Sequence, residues 1–166
     1  MKLLYIIRHA KSSWDYPELS DHERPLIEKG RKRTRKVIDY LKKQAARPDF
    51  IISSSALRAR ETADLIAEGL GIDKDLVKTD PSLYLTDANQ IFTQFADLSD
   101  RFQEVMIVGH NPAFTNFSNL FLVPPIDWLP TSAVVCLEFE TDKWEEIEHA
   151  EFKVKFVIFP KLIGEV

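Results

Sequence analysis

Hydrophobic positions along this chain fall into short unbroken runs separated by longer stretches with helical spacing. Leu3, Leu4, Tyr5, Ile6 and Ile7 form the first run. An apolar run without a polar interruption predicts a strand over 2–7 that is buried on both faces. Phe50-Ile51-Ile52 and Val105-Met106-Ile107-Val108 have the same character. Further strands are expected over 133–139 and 152–159, flanking a turn and an alternating segment around Trp144. Between these runs the spacing changes. A helix is predicted over 28–45, with Val37, Ile38 and Leu41 on one face. Ser53, Ser54 and Ser55 offer N-caps to a second helix, which Gly69 or Gly71 can end. A third is predicted over 87–98, where Ile91, Phe92, Phe95 and Leu98 make the apolar stripe. Asn111 can cap a fourth, with Pro112 at its first position. Residues 11–26 read as a polar loop holding Pro17 and Pro25, long enough to suggest function. A proline-marked loop spans 123–130. Buried strands alternating with amphipathic helices predict one α/β domain over 1–166, with layers packed on a mostly parallel sheet.

Composition narrows the partners. The 166 residues are 45% hydrophobic and 29% charged, with a net charge of −4. That balance implies no global attraction to nucleic acid or to a membrane. Lys29, Arg31, Lys32, Arg33, Arg35 and Lys36 form one basic cluster, which reads as the solvated face of the first helix. The single Cys136 lies between apolar residues, so a buried thiol is expected and a disulfide framework is excluded. No apolar run is long enough to span a bilayer, and the first residues lack a signal-peptide pattern. A cytoplasmic protein is expected.

Candidate chemistry sits at the ends of the buried strands. The first delivers Arg8 and His9, the second leads through serines to Arg58, and 105–108 delivers His110. In a parallel sheet these ends open on one edge, where α/β ligand sites form. Arg58 falls in the first turn of its helix, where the dipole disfavours a cation unless an anion is bound. His110 precedes a helix N-terminus, whose free N–H groups also favour an anion. Two guanidinium forks match phosphate oxygens. Phosphoryl transfer follows as the chemistry: His9 as the attacking imidazole, with Arg8, Arg58 and His110 stabilising charge on the equatorial oxygens. The arginines supply the positive charge, so no metal and no cofactor are expected, and no His/Cys/Asp cluster has metal-ligand spacing.

The segments Arg8-His9-Ala10, Ser54-Ser55-Ala56-Leu57-Arg58-Ala59-Arg60-Glu61-Thr62-Ala63 and Val108-Gly109-His110-Asn111-Pro112 resemble the histidine phosphatase superfamily in order and spacing. Arg8-His9-Ala10-Lys11-Ser12-Ser13-Trp14, Asp21-His22-Glu23-Arg24-Pro25-Leu26 and Pro130-Thr131-Ser132-Ala133 resemble its SixA-type phosphohistidine phosphatase branch. The resemblance implies a phosphoglycerate mutase-like three-layer α/β/α sandwich. It implies His9 as the phosphorylated nucleophile and Arg8, Arg58 and His110 as the phosphate pocket. Arg24 matches a position at the pocket rim, with substrate contact and a loop salt bridge both open. Ser12 and Asn111 are candidate supporting hydrogen-bond donors for substrate. Trp14 is open between the pocket mouth and simple packing. His22 and His149 read as surface residues, and Arg60 as a surface neighbour of Arg58.

Three positions depart from the family pattern. Ser55 replaces a proline and Ile27 a small hydroxyl residue, the latter removing an N-cap worth about 1 kcal/mol. Larger members carry a glutamate after a Leu-Tyr pair as proton donor to the leaving group. Here Leu83-Tyr84 is followed by Leu85, and Asp87 is the nearest candidate. An alkoxide needs such an acid, whereas the imidazole of a phosphohistidine takes its proton from solvent. The expected function is therefore hydrolysis of protein phosphohistidine through a covalent intermediate on His9. The expected partners are a phosphorylated protein domain and a phosphate or sulfate ion in the pocket. The alternatives are a phosphatase or mutase acting on a small phosphate ester, and a non-catalytic phospho-ligand binding module.

Overall fold

A computed structural model describes residues 1–163. Its frame is a six-stranded sheet in the order β3-β2-β4-β1-β5-β6. The strands are β1 (Lys2–Arg8), β2 (Phe50–Ser54), β3 (Val77–Asp80), β4 (Glu104–Gly109), β5 (Val134–Phe139) and β6 (Phe152–Ile158). β1 runs parallel to β4, and β2 parallel to both β3 and β4. β5 is antiparallel to β1 and to β6, so it alone runs against the rest. The helices are α1 (Glu28–Lys43), α2 (Leu57–Leu70), α3 (Ala88–Ile91), α4 (Thr93–Ala96) and α5 (Ala113–Asn119).

The alternation of β1 and β4 explains the layers. Leu4, Ile6, Val105 and Ile107 enter one core with Phe95 of α4 and Phe114 and Phe117 of α5. Tyr5, Ile7, Met106 and Val108 enter the opposite core with Val37, Ile38 and Leu41 of α1 and Ala59, Ala63 and Ile66 of α2. Both sheet faces are covered, which is why the two strands read as unbroken apolar runs. The result is a three-layer α/β/α arrangement on a mostly parallel sheet. Cys136 is buried in β5, and burial pushes its thiol up to about 12. Gly71 ends α2 with φ 71°, the left-handed conformation expected of a C-terminal glycine.

Three expectations change. The segment expected to be one helix over 87–98 is two short helices, α3 and α4, meeting at Phe92. Ser53 and Ser54 belong to β2 rather than to a cap, and Ala56 takes the N-cap position of α2 without a side-chain bond. Pro112 occupies the N-cap position of α5, one residue before the position expected for it, while the Asn111 carboxamide oxygen accepts from the Thr115 N–H inside the helix. Among the described residues no helix is long and apolar enough to cross a membrane.

Candidate active site

The C-terminal ends of β1, β2 and β4 lie side by side because these strands are parallel and in register: Arg8 pairs with Gly109, and Ser53 with Val108. His9 N–H donates to Gly109 O at 3.0 Å, and Ser132 N–H donates to Arg8 O at 3.0 Å. The exit of β1 is thus held between β4 and the loop entering β5. Ala10 N–H donates to the Thr62 hydroxyl of α2 at 2.9 Å, fixing the next residue from the other side. α1 also packs closely here: a side chain at Gly30 would collide with Lys11 O. The loop over 11–26 folds back on itself, with Ser13 N–H donating to Pro25 O at 2.8 Å.

These constraints bring Arg8, His9, Arg58 and His110 to one cavity of about 540 Å³, together with Ser12, Trp14, Arg24 and Asn111. The His9 and His110 ring centroids are 5.0 Å apart. His9, Arg24, Arg58 and His110 are each less than 9% exposed, so their charges and lone pairs act in a weakly screened setting. His9 Nδ1 is 2.7 Å from Ala10 O. A carbonyl can only accept, so Nδ1 carries the proton and Nε2 keeps the lone pair. Burial holds the His9 pKa well below the ordinary value, against the Ala10 bond and with help from His110, Arg58 and Arg8. Burial and the Arg58 charge likewise pull His110 down to about 3. Both imidazoles are neutral at pH 7. Arg8 is lowered by burial and then by Arg58, a measure of how closely the two cations share the site.

Asp21 organises the arginines, and sequence reasoning missed it as a separate contributor. Its carboxylate accepts from Arg58 Nη2 at 3.0 Å, from Arg24 Nε at 3.1 Å and from the Tyr84 hydroxyl at 2.5 Å. Partial burial opposes its charge, but Tyr84, Arg58 and Arg24 outweigh it and hold the carboxyl at about 2. Arg24 also donates to the Ser12 hydroxyl at 2.7 Å and lies 3.6 Å over the Trp14 ring. Arg24 thus makes the loop salt bridge with Asp21 and also lines the cavity. Trp14 stands at the mouth, 77% exposed. Asn111 is committed to Leu129 O and to Thr115.

Other residues sit elsewhere than expected. Asp87 does not line the cavity; its carboxylate caps α3 by accepting from Gln90 N–H at 2.9 Å. His22 is not a bare surface residue: its Nε2 is 2.8 Å from the Ser55 hydroxyl, and its ring packs edge-on against Tyr84. Arg33 of the basic cluster lines the cavity instead of a purely solvated face. His149 and Arg60 are exposed, as expected.

Four buried side-chain polar atoms among the described residues lack a hydrogen-bond partner. Three of them, Arg8 Nε, Arg58 Nε and His110 Nδ1, belong to this cavity. Buried polar atoms are normally satisfied. Unpaired guanidinium N–H groups are the kind of donor that an oxyanion satisfies.

Two histidines and two arginines thus meet at the carboxyl edge of a mostly parallel sheet, the place where ligand sites form in α/β proteins. The chain belongs to the histidine phosphatase superfamily, whose branch 1 profile matches residues 4–84. An uncharacterized chloroplastic protein of Arabidopsis thaliana is 30% identical over 151 residues, covering 86% of this chain and 69% of that one. An uncharacterized protein of Mycobacterium leprae is 29% identical over 112 residues, covering 66% of each chain. The chain thus spans about two thirds of the length of these relatives. Among solved structures, the protein histidine phosphatase SixA complexed with tungstate has a TM-score of 0.81 at 20% identity, covering 98% of this chain and 99% of that one. A mycobacterial glucosyl-3-phosphoglycerate phosphatase with inorganic phosphate has a TM-score of 0.62 at 16% identity, covering 94% and 96%. These likenesses establish a shared fold.

The depressed histidines set the response to acid. Between the ordinary value of 6.5 and about 3, the unfolded chain binds a proton at His110 that the folded chain does not. Stability from this source is complete above pH 6.5 and is lost as pH falls through that window. His9 acts in the same direction. Asp21 adds a second loss as pH drops from 3.8 through about 2. The melting temperature should fall steadily from pH 7 to pH 4, and less steeply in His110→Asn. Equal slopes for the two proteins in a calorimetric pH series would contradict this account.

Proposed function

We propose that the protein is a phosphatase that hydrolyses phosphohistidine on proteins through a covalent phosphohistidine at His9. His9 presents a neutral imidazole with its lone pair on Nε2, the form needed for in-line attack on phosphorus. The new P–N bond forms as the bond to the substrate imidazole breaks. That imidazole takes a solvent proton on its distal nitrogen and leaves neutral. Water then attacks the phosphoryl group on His9, releasing inorganic phosphate and restoring the ring.

Arg8 and Arg58 meet the negative charge spread over the equatorial oxygens. Arg58 spends two N–H groups on Asp21 and Arg8 spends one on Leu129 O, which leaves donors on each for phosphate. His110 joins them when the Ser54 hydroxyl donates to Nε2, 2.7 Å away, because the ring proton then sits on the orphaned Nδ1. Arg24, Ser12 and Asn111 support the pocket wall. The guanidinium groups supply the positive charge that a divalent metal would otherwise bring.

One observation favours phosphohistidine over a sugar phosphate. Among the described residues, no carboxyl or imidazole lining the cavity is poised to give up a proton near neutral pH. His9 and His110 are neutral, the Asp21 carboxyl is held at about 2, Asp87 caps α3, and Leu85 stands 83% exposed where a donor carboxyl belongs. An alkoxide cannot leave readily from such a site, whereas imidazole can.

The test compares phosphate release from a phosphohistidine protein and from a sugar phosphate, both in EDTA. A preference of about 100-fold or more in kcat/KM for phosphohistidine is expected, in line with the contribution of a general acid. Preference for the sugar phosphate would overturn the substrate assignment. Loss of activity in EDTA would overturn the role given to the arginines.

A further inference from the structure

Six cationic side chains line the cavity: Arg8, Lys11, Arg24, Arg33, Arg58 and Lys161. Among the described residues no aspartate or glutamate lines it. This concentration stands out on a chain whose net charge is −4. Arg8, Arg24 and Arg58 are engaged at the inner pocket. Lys11, Arg33 and Lys161 are different. They come from the β1 exit, from α1 and from the 3-10 turn Pro160–Leu162, and none has an ion pair among the described residues. Arg33 and Lys161 also line a second depression of about 220 Å³ with Pro160 and Ile163. The positive surface therefore runs outward from the phosphate pocket in one direction, along α1. A phosphoryl group alone is matched by the inner arginines, so cations beyond it serve something larger than phosphate.

We infer that Lys11, Arg33 and Lys161 form a basic wall that selects protein substrates carrying acidic residues beside the phosphorylated histidine, a deepening that rests on the phosphohistidine reading above. Charge complementarity names the occupant. Carboxylates flanking the phosphohistidine meet cations that have no ion pair among the described residues, and the field of the wall raises the capture rate. The effect acts on encounter and on KM, because the wall does not touch the reacting atoms.

The experiment uses two phosphohistidine peptides of equal length, one with flanking glutamates and one with flanking glutamines, plus free phosphohistidine. The protein is compared with its Arg33→Glu/Lys161→Glu variant. The wild type should prefer the acidic peptide by about tenfold in kcat/KM, with the preference shrinking as salt rises. The variant should lose or reverse that preference, and an unchanged far-ultraviolet circular dichroism spectrum and melting temperature report that it is folded. Equal use of the two peptides by the wild type, or an undiminished preference in the variant, overturns the wall and leaves the phosphohistidine reading standing. Failure to hydrolyse any phosphohistidine substrate, with a sugar phosphate turned over, overturns both.

Discussion

His9→Ala should lower phosphate release by about 10⁴-fold or more, the scale seen when an activated nucleophile is removed. The loss follows from position as well as chemistry. His9 N–H is held by Gly109 O, its Nδ1–H by Ala10 O, and the following residue by Thr62, so no other side chain can take over the place of Nε2. His110, the nearest imidazole, is tied to Ser54 with its ring centre 5.0 Å away. Phosphate binding should persist within a few-fold, because the arginines that attract the anion remain. Acid-stable capture of labelled phosphate is not expected even in the wild type, since phosphohistidine is acid-labile. The informative pair is an alkaline quench for the covalent intermediate and an equilibrium measurement of phosphate binding. Turnover within tenfold of wild type would sink the nucleophile assignment.

Arg58→Ala should cost about 10² to 10³ in kcat, the usual loss when one preorganised donor to a developing anion is deleted. Phosphate binding should weaken too, since Arg58 meets charge in the ground state and in the transition state. A second effect is specific to this chain. Arg58 is one of three donors to Asp21, and without it the carboxylate keeps only Tyr84 and Arg24. The Asp21 pKa should then rise from about 2 toward its ordinary value, shifting acid sensitivity upward in pH. Arg58→Lys restores a charge without the planar fork and should recover part of the binding but little of the rate. Undiminished kcat in Arg58→Ala would remove this residue from the transition state.

The residues at the strand ends were legible because of burial. β1, β4 and β5 are covered on both faces, so their apolar runs leave little choice of structure, and Arg8, His9 and His110 follow directly from where those runs stop. β3 was not legible: Val-Lys-Thr-Asp is a partly exposed edge strand whose composition resembles a loop. The break between α3 and α4 depends on packing rather than on spacing, since the apolar stripe continues through it. Asp21 is visible in sequence only as a loop acid near Arg24. Its bond to Arg58, thirty-seven positions later, depends on the path of the 11–26 loop. Arg33 and Lys161 share a wall because the C-terminal turn packs against α1, and neither residue carries a local signal of that meeting.

The placement of β1 at the middle of the sheet has a kinetic consequence. Its partners are β4, about a hundred residues later, and β5, later still. Loops of that size must close before the most apolar strand is covered on either edge, and contacts so distant in sequence form slowly. Until then its apolar edge is open to pairing with other chains. The same closure brings the Arg8-His9 pair beside Gly109 and His110. A chain that has not completed the centre of its sheet has no pocket, so recovery of activity on refolding should track the slowest long-range step.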